Sequence, residues 1–403
     1  MSVTVYPARA PLCVPYWNGR TYKSILRSFA SGTVVAGPEL CALESLLEKK
    51  FRAADTVLCG SGSLALEIAL RACGIGRGDE VIIPTFCCTA VVPPILAAGA
   101  LPVLSDVGGE LNIDVESAAA AMTPKTRAVV VPHLFGNPAD IERIAALAQE
   151  RNIRVIDDAA QALGATVHGQ PVGSFGDAGI LSFGAEKVCF GLGGGAAFSR
   201  KREVAAGLKA DLSPPRFCSV VATLGSTLVW RRWRRWTFPL EAALSRARKS
   251  GPDLPPAPYR KEAMANLKAA VAVSLLEALP ENLAARRARV RAYQSLLGTT
   301  EGLELVPHRD GSACLAQVVR ILPKRAGEDR AARAIGALRK AGYEVQGSYV
   351  PIHLIARYAG LARRALPYAE TVWPDLIELP CEPDVSLDDV ERIAAIVKQA
   401  AQN

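Results

Sequence analysis

The sequence predicts an α/β fold, with a large, mainly parallel sheet domain followed by a smaller α+β domain. Three observations carry this. From about residue 56 to 200, short apolar runs alternate with helical patterns in a βαβ rhythm. Residues 211–258 break that rhythm and are rich in Pro, Trp and Arg. From Met264 a long helical pattern resumes, and the chain then mixes short strands with helices. The expected division is 1–210, 211–258 and 259–403.

In chain order, the strand candidates of the first unit are Thr56–Cys59, Glu80–Pro84, Pro102–Asp106, Ala128–His133, Arg154–Asp158, Gly179–Phe183 and Gly195–Ser199. Their apolar character is continuous, as expected of strands covered on both faces. Helical patterns lie between most of them, among them Ser63–Ala72, Val115–Met122 and Asp140–Arg151. The later helix runs from Met264 through Leu275 to Tyr293. Strands are expected at Gln317–Leu322 and Glu344–Gln346, and helices at Asp329–Ala341 and Leu387–Ala400. No internal repeat is found.

The chain has 403 residues, half of them hydrophobic and 21% charged, enough for two domains with a large core. The net charge of +8 is partly local, with clusters at Arg231–Arg235 and Arg286–Arg291. Such a field suits anionic small molecules as well as nucleic acid, and no nucleic-acid-binding motif accompanies it. The ten cysteines form no CxxC pair, so free thiols in a reducing cytosol are expected, and no metal site. The first residues lack a basic and apolar leader pattern, so a cytoplasmic location is expected.

The chemistry concentrates on Lys187. It follows the apolar run ending at Ser182-Phe183 and precedes the glycine-rich Gly191–Gly195. Upstream, Val155-Ile156-Asp157-Asp158 ends a strand on two acids, and Gly60-Ser61-Gly62-Ser63 opens a helix. Sheets of this type bind ligands at the carboxyl ends of their strands, where Asp158 and Ser182 fall. An amine, a strand-end acid and a helix N-terminus of phosphate size are what a pyridoxal phosphate enzyme requires. Each part alone has a plainer reading. Lys187 could be a surface lysine, Asp158 a helix cap, and the Gly-Ser turn a loop.

The chain resembles the DegT/DnrJ/EryC1/StrS family of pyridoxal phosphate-dependent sugar aminotransferases, of the aspartate aminotransferase-like fold type I. The matching pieces run almost end to end. They include Ser31-Gly32, Gly37-Pro38-Glu39, Ser61–Leu66, Gly78–Pro84, Gly99–Val103, Asn112-Ile113-Asp114 and Thr123–Thr126. They continue with His133–Asp140, Asp157–Gly164, Val172–Asp177, Pro351-Ile352-His353, Leu366–Glu370 and Leu379-Pro380.

The resemblance implies that Lys187 is the Schiff-base lysine and general base, and that Asp158 pairs with the pyridine nitrogen. It implies that Gln161 approaches the ring and that Gly62, Ser63 and Ser182 hold the phosphate. His133 matches a family histidine near the active-site entrance and His353 one in the family's C-terminal loop, both candidates for substrate contact, and both are also ordinary structural positions. A homodimer with active sites at its interface is expected.

Three departures stand out. Cys88 occupies the position of the family's ring-stacking aromatic, with Phe86 two residues before it as the other candidate. Tyr259–Met264 replaces an Asn-x-Arg segment that reaches the partner's phosphate, leaving Arg260 or Lys261 to supply charge. Gly194 stands where an acid is usual. A non-sugar-nucleotide natural-product substrate, a lipid-linked substrate, or a non-enzymatic regulatory role are the rival readings.

Residues 220–240 carry one more pattern. A mostly apolar run, Cys218–Trp230, precedes Arg-Arg-Trp-Arg-Arg-Trp. On a helix, Trp230, Trp233 and Trp236 would share one side and the four arginines the other. That suits a peripheral contact with an anionic membrane and is too short to span one. The alternative is an insertion packing its tryptophans on the protein.

Overall fold

The computed structural model describes residues 15–247, 259–325 and 328–402, with the side chains of 235–247 outside the description. Its central sheet has seven strands in the order β1-β9-β8-β5-β4-β2-β3. These are β1 (Asp55–Cys59), β2 (Glu80–Pro84), β3 (Leu101–Ser105), β4 (Thr126–Pro132), β5 (Arg154–Asp158), β8 (Ala178–Ser182) and β9 (Gly195–Ser199). A small hairpin, β6 (Thr166–Val167) with β7 (Gln170–Pro171), lies apart. The expected strands agree to within two residues at each end.

The run β8-β5-β4-β2-β3 is parallel, and β9 alone runs against its neighbours β8 and β1. A parallel neighbour needs a crossover helix, whereas an antiparallel one can be reached by a loop. The loop from β8 back to β9 is residues 183–194, and it carries Lys187.

Helices cover both faces. They are α1 (Gly19–Ala30), α2 (Glu39–Phe51), α3 (Gly62–Ala72), α4 (Val92–Ala97), α5 (Val115–Ala121), α6 (Ile141–Glu150) and the short α7 (Arg202–Ala205). In α3 every residue from Leu64 to Leu70 is buried, so this helix is apolar on nearly all sides and lies within the core. Its start is set by Ser61, whose hydroxyl accepts from the Leu64 amide at 3.2 Å.

Residues Phe217–Ala247 form one long helix, α8. The long helix expected from Met264 to Tyr293 is two helices, α9 (Asn266–Glu277) and α10 (Leu279–Leu297). Pro280 explains the break. It cannot continue α9 and is tolerated in the first turn of α10. Leu267, Val271 and Leu275 of α9 pack with Leu43, Leu47 and Phe51 of α2. This helix therefore belongs to the core of the large domain, and the division expected at residue 259 falls inside a packed unit.

The C-terminal domain has an antiparallel sheet in the order β10-β11-β13-β12. Its strands are β10 (Leu303–Leu305), β11 (Ala316–Ile321), β12 (Gln346–Gly347) and β13 (Leu376–Pro380). Helices α11 (Arg330–Lys340) and α13 (Leu387–Gln402), with the end of α10, bury one core against it, including Tyr293, Val319, Leu338, Ile377 and Ile393. The short α12 (Pro367–Val372) precedes β13.

Candidate active site

A cavity of about 540 Å³ lies at the carboxyl ends of the parallel strands. Gly62, Ser63, Cys88, Asp158, Gln161, Ser182 and Lys187 all line it. The topology brings them together from β1–α3, the end of β2, the end of β5 and the β8–β9 loop.

One end of the cavity is a cradle. A Cβ on Gly62 would lie 2.8 Å from the Ser182 Cβ and 3.1 Å from its Oγ, so only glycine lets the first turn of α3 approach this hydroxyl. Ser182 Oγ accepts from the Gly184 amide at 3.3 Å, and Ser63 Oγ donates to the Ala90 carbonyl at 3.3 Å. The start of an eleven-residue helix carries the positive end of its dipole, which favours an anion here.

At the other end, β5 delivers two acids to opposite sides. Asp157 turns away and is fully buried. It takes His133 Nε2 at 2.6 Å and the Phe175 amide at 2.9 Å. Asp158 lines the cavity and accepts the Ala160 amide at 2.9 Å. Burial pushes its carboxyl above the usual range, while that hydrogen bond and the charge of Lys187 oppose the rise. The cap-like bond and the cavity position are therefore both present.

Gln161 is held from both ends. Its Oε1 accepts the Phe135 amide at 3.1 Å, and its Nε2 donates to Tyr349 Oη at 2.9 Å. The tyrosine comes from the C-terminal domain and stacks on Phe135 with ring centres 6.0 Å apart. Phe86 meets the same tyrosine edge-on at 5.9 Å, and it is wholly buried away from the cavity. Of the two candidates for the ring-facing position, Cys88 is the one on the cavity wall.

The remaining candidates are placed elsewhere. His133 lies at the cavity wall but is fully buried, with Nδ1 accepting the Ala139 amide at 2.9 Å and Nε2 donating to Asp157. Both nitrogens are engaged, so it braces the strand ends, and the expected substrate contact has no free atom to make it. His353 binds Thr85 Oγ1 at 2.7 Å and Glu370 at 3.2 Å, tying the 351–354 loop to the end of β2 outside the cavity.

Arg260 is exposed beside Glu262 at 3.4 Å. Lys261 places its ammonium 2.8 Å from Glu67 on α3, where Tyr259 and Arg71 also bond. Burial acts to raise the Glu67 carboxyl, and these three donors outweigh it and hold it below the usual range. Lys261 therefore serves Glu67, and neither basic residue reaches the cavity lining.

Sequence reasoning missed Tyr349 and two acids behind it. A small adjoining cavity of about 30 Å³ shares Gln161 and Glu186 with the main one and is lined by Tyr349, Glu378 and Glu382. Burial raises both Glu378 and Glu382 to about 7. Hydrogen bonds from Gln346 and Ser348 oppose the shift at Glu378, and Arg286 opposes it at Glu382. Only the position of Tyr349, two residues before Pro351-Ile352-His353, could have flagged it.

The DegT/DnrJ/EryC1/StrS aminotransferase family matches residues 18–398, almost the whole chain. The chain belongs to this family. It is 30% identical over 351 residues to a GDP-perosamine synthase of Caulobacter vibrioides, covering 85% of each chain. It is 30% identical over 334 residues to an L-glutamine:2-deoxy-scyllo-inosose aminotransferase of Streptoalloteichus tenebrarius, covering 79% of this chain and 71% of that one. Among solved structures it resembles DesV of S. venezuelae with a TM-score of 0.77 and 26% identity, covering 98% of this chain and 100% of DesV.

This DegT-family chain is thus a pyridoxal phosphate-dependent aminotransferase of fold type I, and its cavity fits the cofactor. The cradle where Gly62 meets Ser182 at the start of α3 has the form an anion would need, and the buried Asp158 carboxyl calls for a cationic partner such as a protonated ring nitrogen. Lys187 supplies an amine on the same wall.

Proposed function

We propose that this aminotransferase moves an amino group from glutamate or glutamine to a keto group of a nucleotide-linked sugar. The observation that carries the reading is the meeting of Lys187, Asp158 and the Gly62–Ser182 cradle on one cavity. When bound, pyridoxal phosphate would supply an aldehyde for the amine and a ring that withdraws electrons. Lys187 would hold the cofactor and then move the proton at the reacting carbon. Asp158 would keep the ring nitrogen protonated, and Gln161, fixed by Phe135 and Tyr349, would orient the ring edge. Gly62, Ser63 and Ser182 would hold the phosphate, with Cys88 against the ring.

The nucleotide-sugar class is supported by the name of the GDP-perosamine synthase relative. Lys187 is the one cation on the lining among the described residues. A cofactor phosphate and a substrate diphosphate call for more positive charge. A homodimer with its sites at the interface would provide it, Arg260 of a second copy being an exposed source. A peripheral membrane contact through 220–240 belongs to the same reading.

The test loads the purified enzyme with amine from glutamate or glutamine and offers a panel of keto-sugar nucleotides and simpler ketones, read by mass spectrometry. Amination of a sugar nucleotide supports the proposal. Amine loading followed by transfer only to ketones lacking a nucleotide would overturn the substrate class and leave the aminotransferase assignment intact.

A further inference from the structure

Helix α8 has two faces. At about 100° per residue, Val220, Leu224, Thr227, Trp230, Arg231 and Arg234 share one stripe. The rest of the chain occupies this stripe. Val220 and Leu224 are buried in the large domain, and Trp230 packs on Phe190 with ring centres 5.0 Å apart. Arg231 bonds the carbonyls of Pro15 and Trp17, and Arg234 pairs with Glu344 of the C-terminal domain. Arg234 also lies over the Trp230 ring at 5.1 Å. Tryptophans and arginines are therefore divided between the faces, not separated by type as the sequence suggested; the side chains of Arg235 and Trp236 lie outside the described residues.

The opposite stripe, about 100° wide, carries Cys218, Ala222, Gly225, Val229, Arg232 and Trp233. Val229 is 56% and Trp233 51% exposed, and Phe217 and Leu228 are exposed on its flank. Arg232 lies over the Trp233 ring at 5.7 Å.

Two further observations indicate what covers this face. Between Asp211 and Glu241 the chain has no acidic residue, and of its five arginines Arg216 and Arg232 are exposed. On the adjoining flank, Thr223 donates to the Ser219 carbonyl at 2.9 Å and Ser226 to the Thr223 carbonyl at 2.9 Å. These hydroxyls are satisfied by their own helix and need no water. A second copy on the same face would bring this segment against itself, with no carboxylate between Asp211 and Glu241 to meet Arg232. An anionic lipid surface meets the apolar and the basic requirement together.

We propose that the outer face of α8 docks on an anionic bilayer. Leu228, Val229 and Trp233 enter the headgroup boundary, and Arg232 meets the lipid charge. This rests on the peripheral contact proposed above and narrows it to one stripe. Because the inner face holds Phe190, three residues after Lys187, docking brings the lysine loop within roughly one helix diameter, ~10 Å, of the surface.

The test is flotation of the full-length holoenzyme with phosphatidylcholine vesicles, with and without phosphatidylglycerol. Wild type should float with the anionic vesicles alone, and added salt should weaken this. The double variant Val229→Ser/Trp233→Ser and the single variant Arg232→Glu should each cut the bound fraction about tenfold or more, with Tm and amine loading unchanged. Wild type that stays unbound at low salt overturns the membrane contact altogether. Binding retained by both variants overturns this stripe and leaves another part of 220–240 to carry the contact. If the double variant dissociates a dimer while wild type ignores vesicles, the face belongs to a second copy.

Discussion

The strand ends around the cavity and the helix α8 both gather charged and reactive side chains, under different constraints. At the strand ends each residue is committed by the sheet. β5 is buried on both faces, so Asp157 must turn to His133 and Asp158 to the cavity. The Lys187 loop is fixed at both ends by β8 and β9. On α8 the backbone commits nothing about which face packs; Phe190, Pro15, Trp17 and Glu344 make that choice from elsewhere in the chain. The carboxyl ends of sheet strands thus specify their functional residues locally, whereas a long surface helix acquires its inner and outer faces from tertiary partners.

The largest effect should come from the sheet side. Lys187→Ala should abolish amine transfer, a loss of about four orders of magnitude or more, read as product formation under saturating donor. Retained turnover would remove the lysine from the reaction. Asp158→Asn should slow amine loading about a hundredfold or more while leaving some cofactor bound. An unchanged loading rate would show that this carboxyl does not govern the ring.

The contrast within α8 is sharpened by paired variants. Trp230→Ala removes the contact with Phe190 and should cost about 2–3 kcal/mol in denaturant unfolding. Trp233→Ala, on the exposed face, should stay within about 0.5 kcal/mol of wild type. Equal losses at both positions would contradict the division into faces.

The smallest effect concerns the acid behind Tyr349. Burial holds Glu378 up to about 7, against an ordinary value of 4.5. The native state thus binds this proton more tightly than the unfolded chain. Its contribution is full below about pH 4.5 and is lost as pH rises through 7. Glu378→Gln, which cannot ionise, should raise Tm relative to wild type near pH 8 and much less near pH 5. A Tm difference independent of pH would show that the carboxyl is ordinary.

Much of the sheet was legible because continuous apolar runs such as Glu80–Pro84 and Arg154–Asp158 leave few alternatives. The positions of Asp158 and Ser182 were legible as strand ends, whereas Lys187, Gln161 and Cys88 were singled out through the family resemblance. The choice between Phe86 and Cys88 was not legible, because β2 ends at Pro84 and the chain bends, so strand alternation no longer assigns sides. Lys261 read as a free cation because Glu67, nearly two hundred positions away, is apposed to it only by the fold. Tyr349 was hidden for the same reason, its role resting on a bond to Gln161 from another domain.

One lysine on the β8–β9 loop is proposed to anchor the cofactor beside Asp158 and the α3 cradle. Borohydride reduction of the pyridoxal phosphate-loaded protein, followed by peptide mapping, tests it directly. A single pyridoxyl-modified peptide is expected, with the label on Lys187 and absent from Lys187→Ala. A label on Lys261, Lys268 or any other lysine, with Lys187 unmodified, would contradict it.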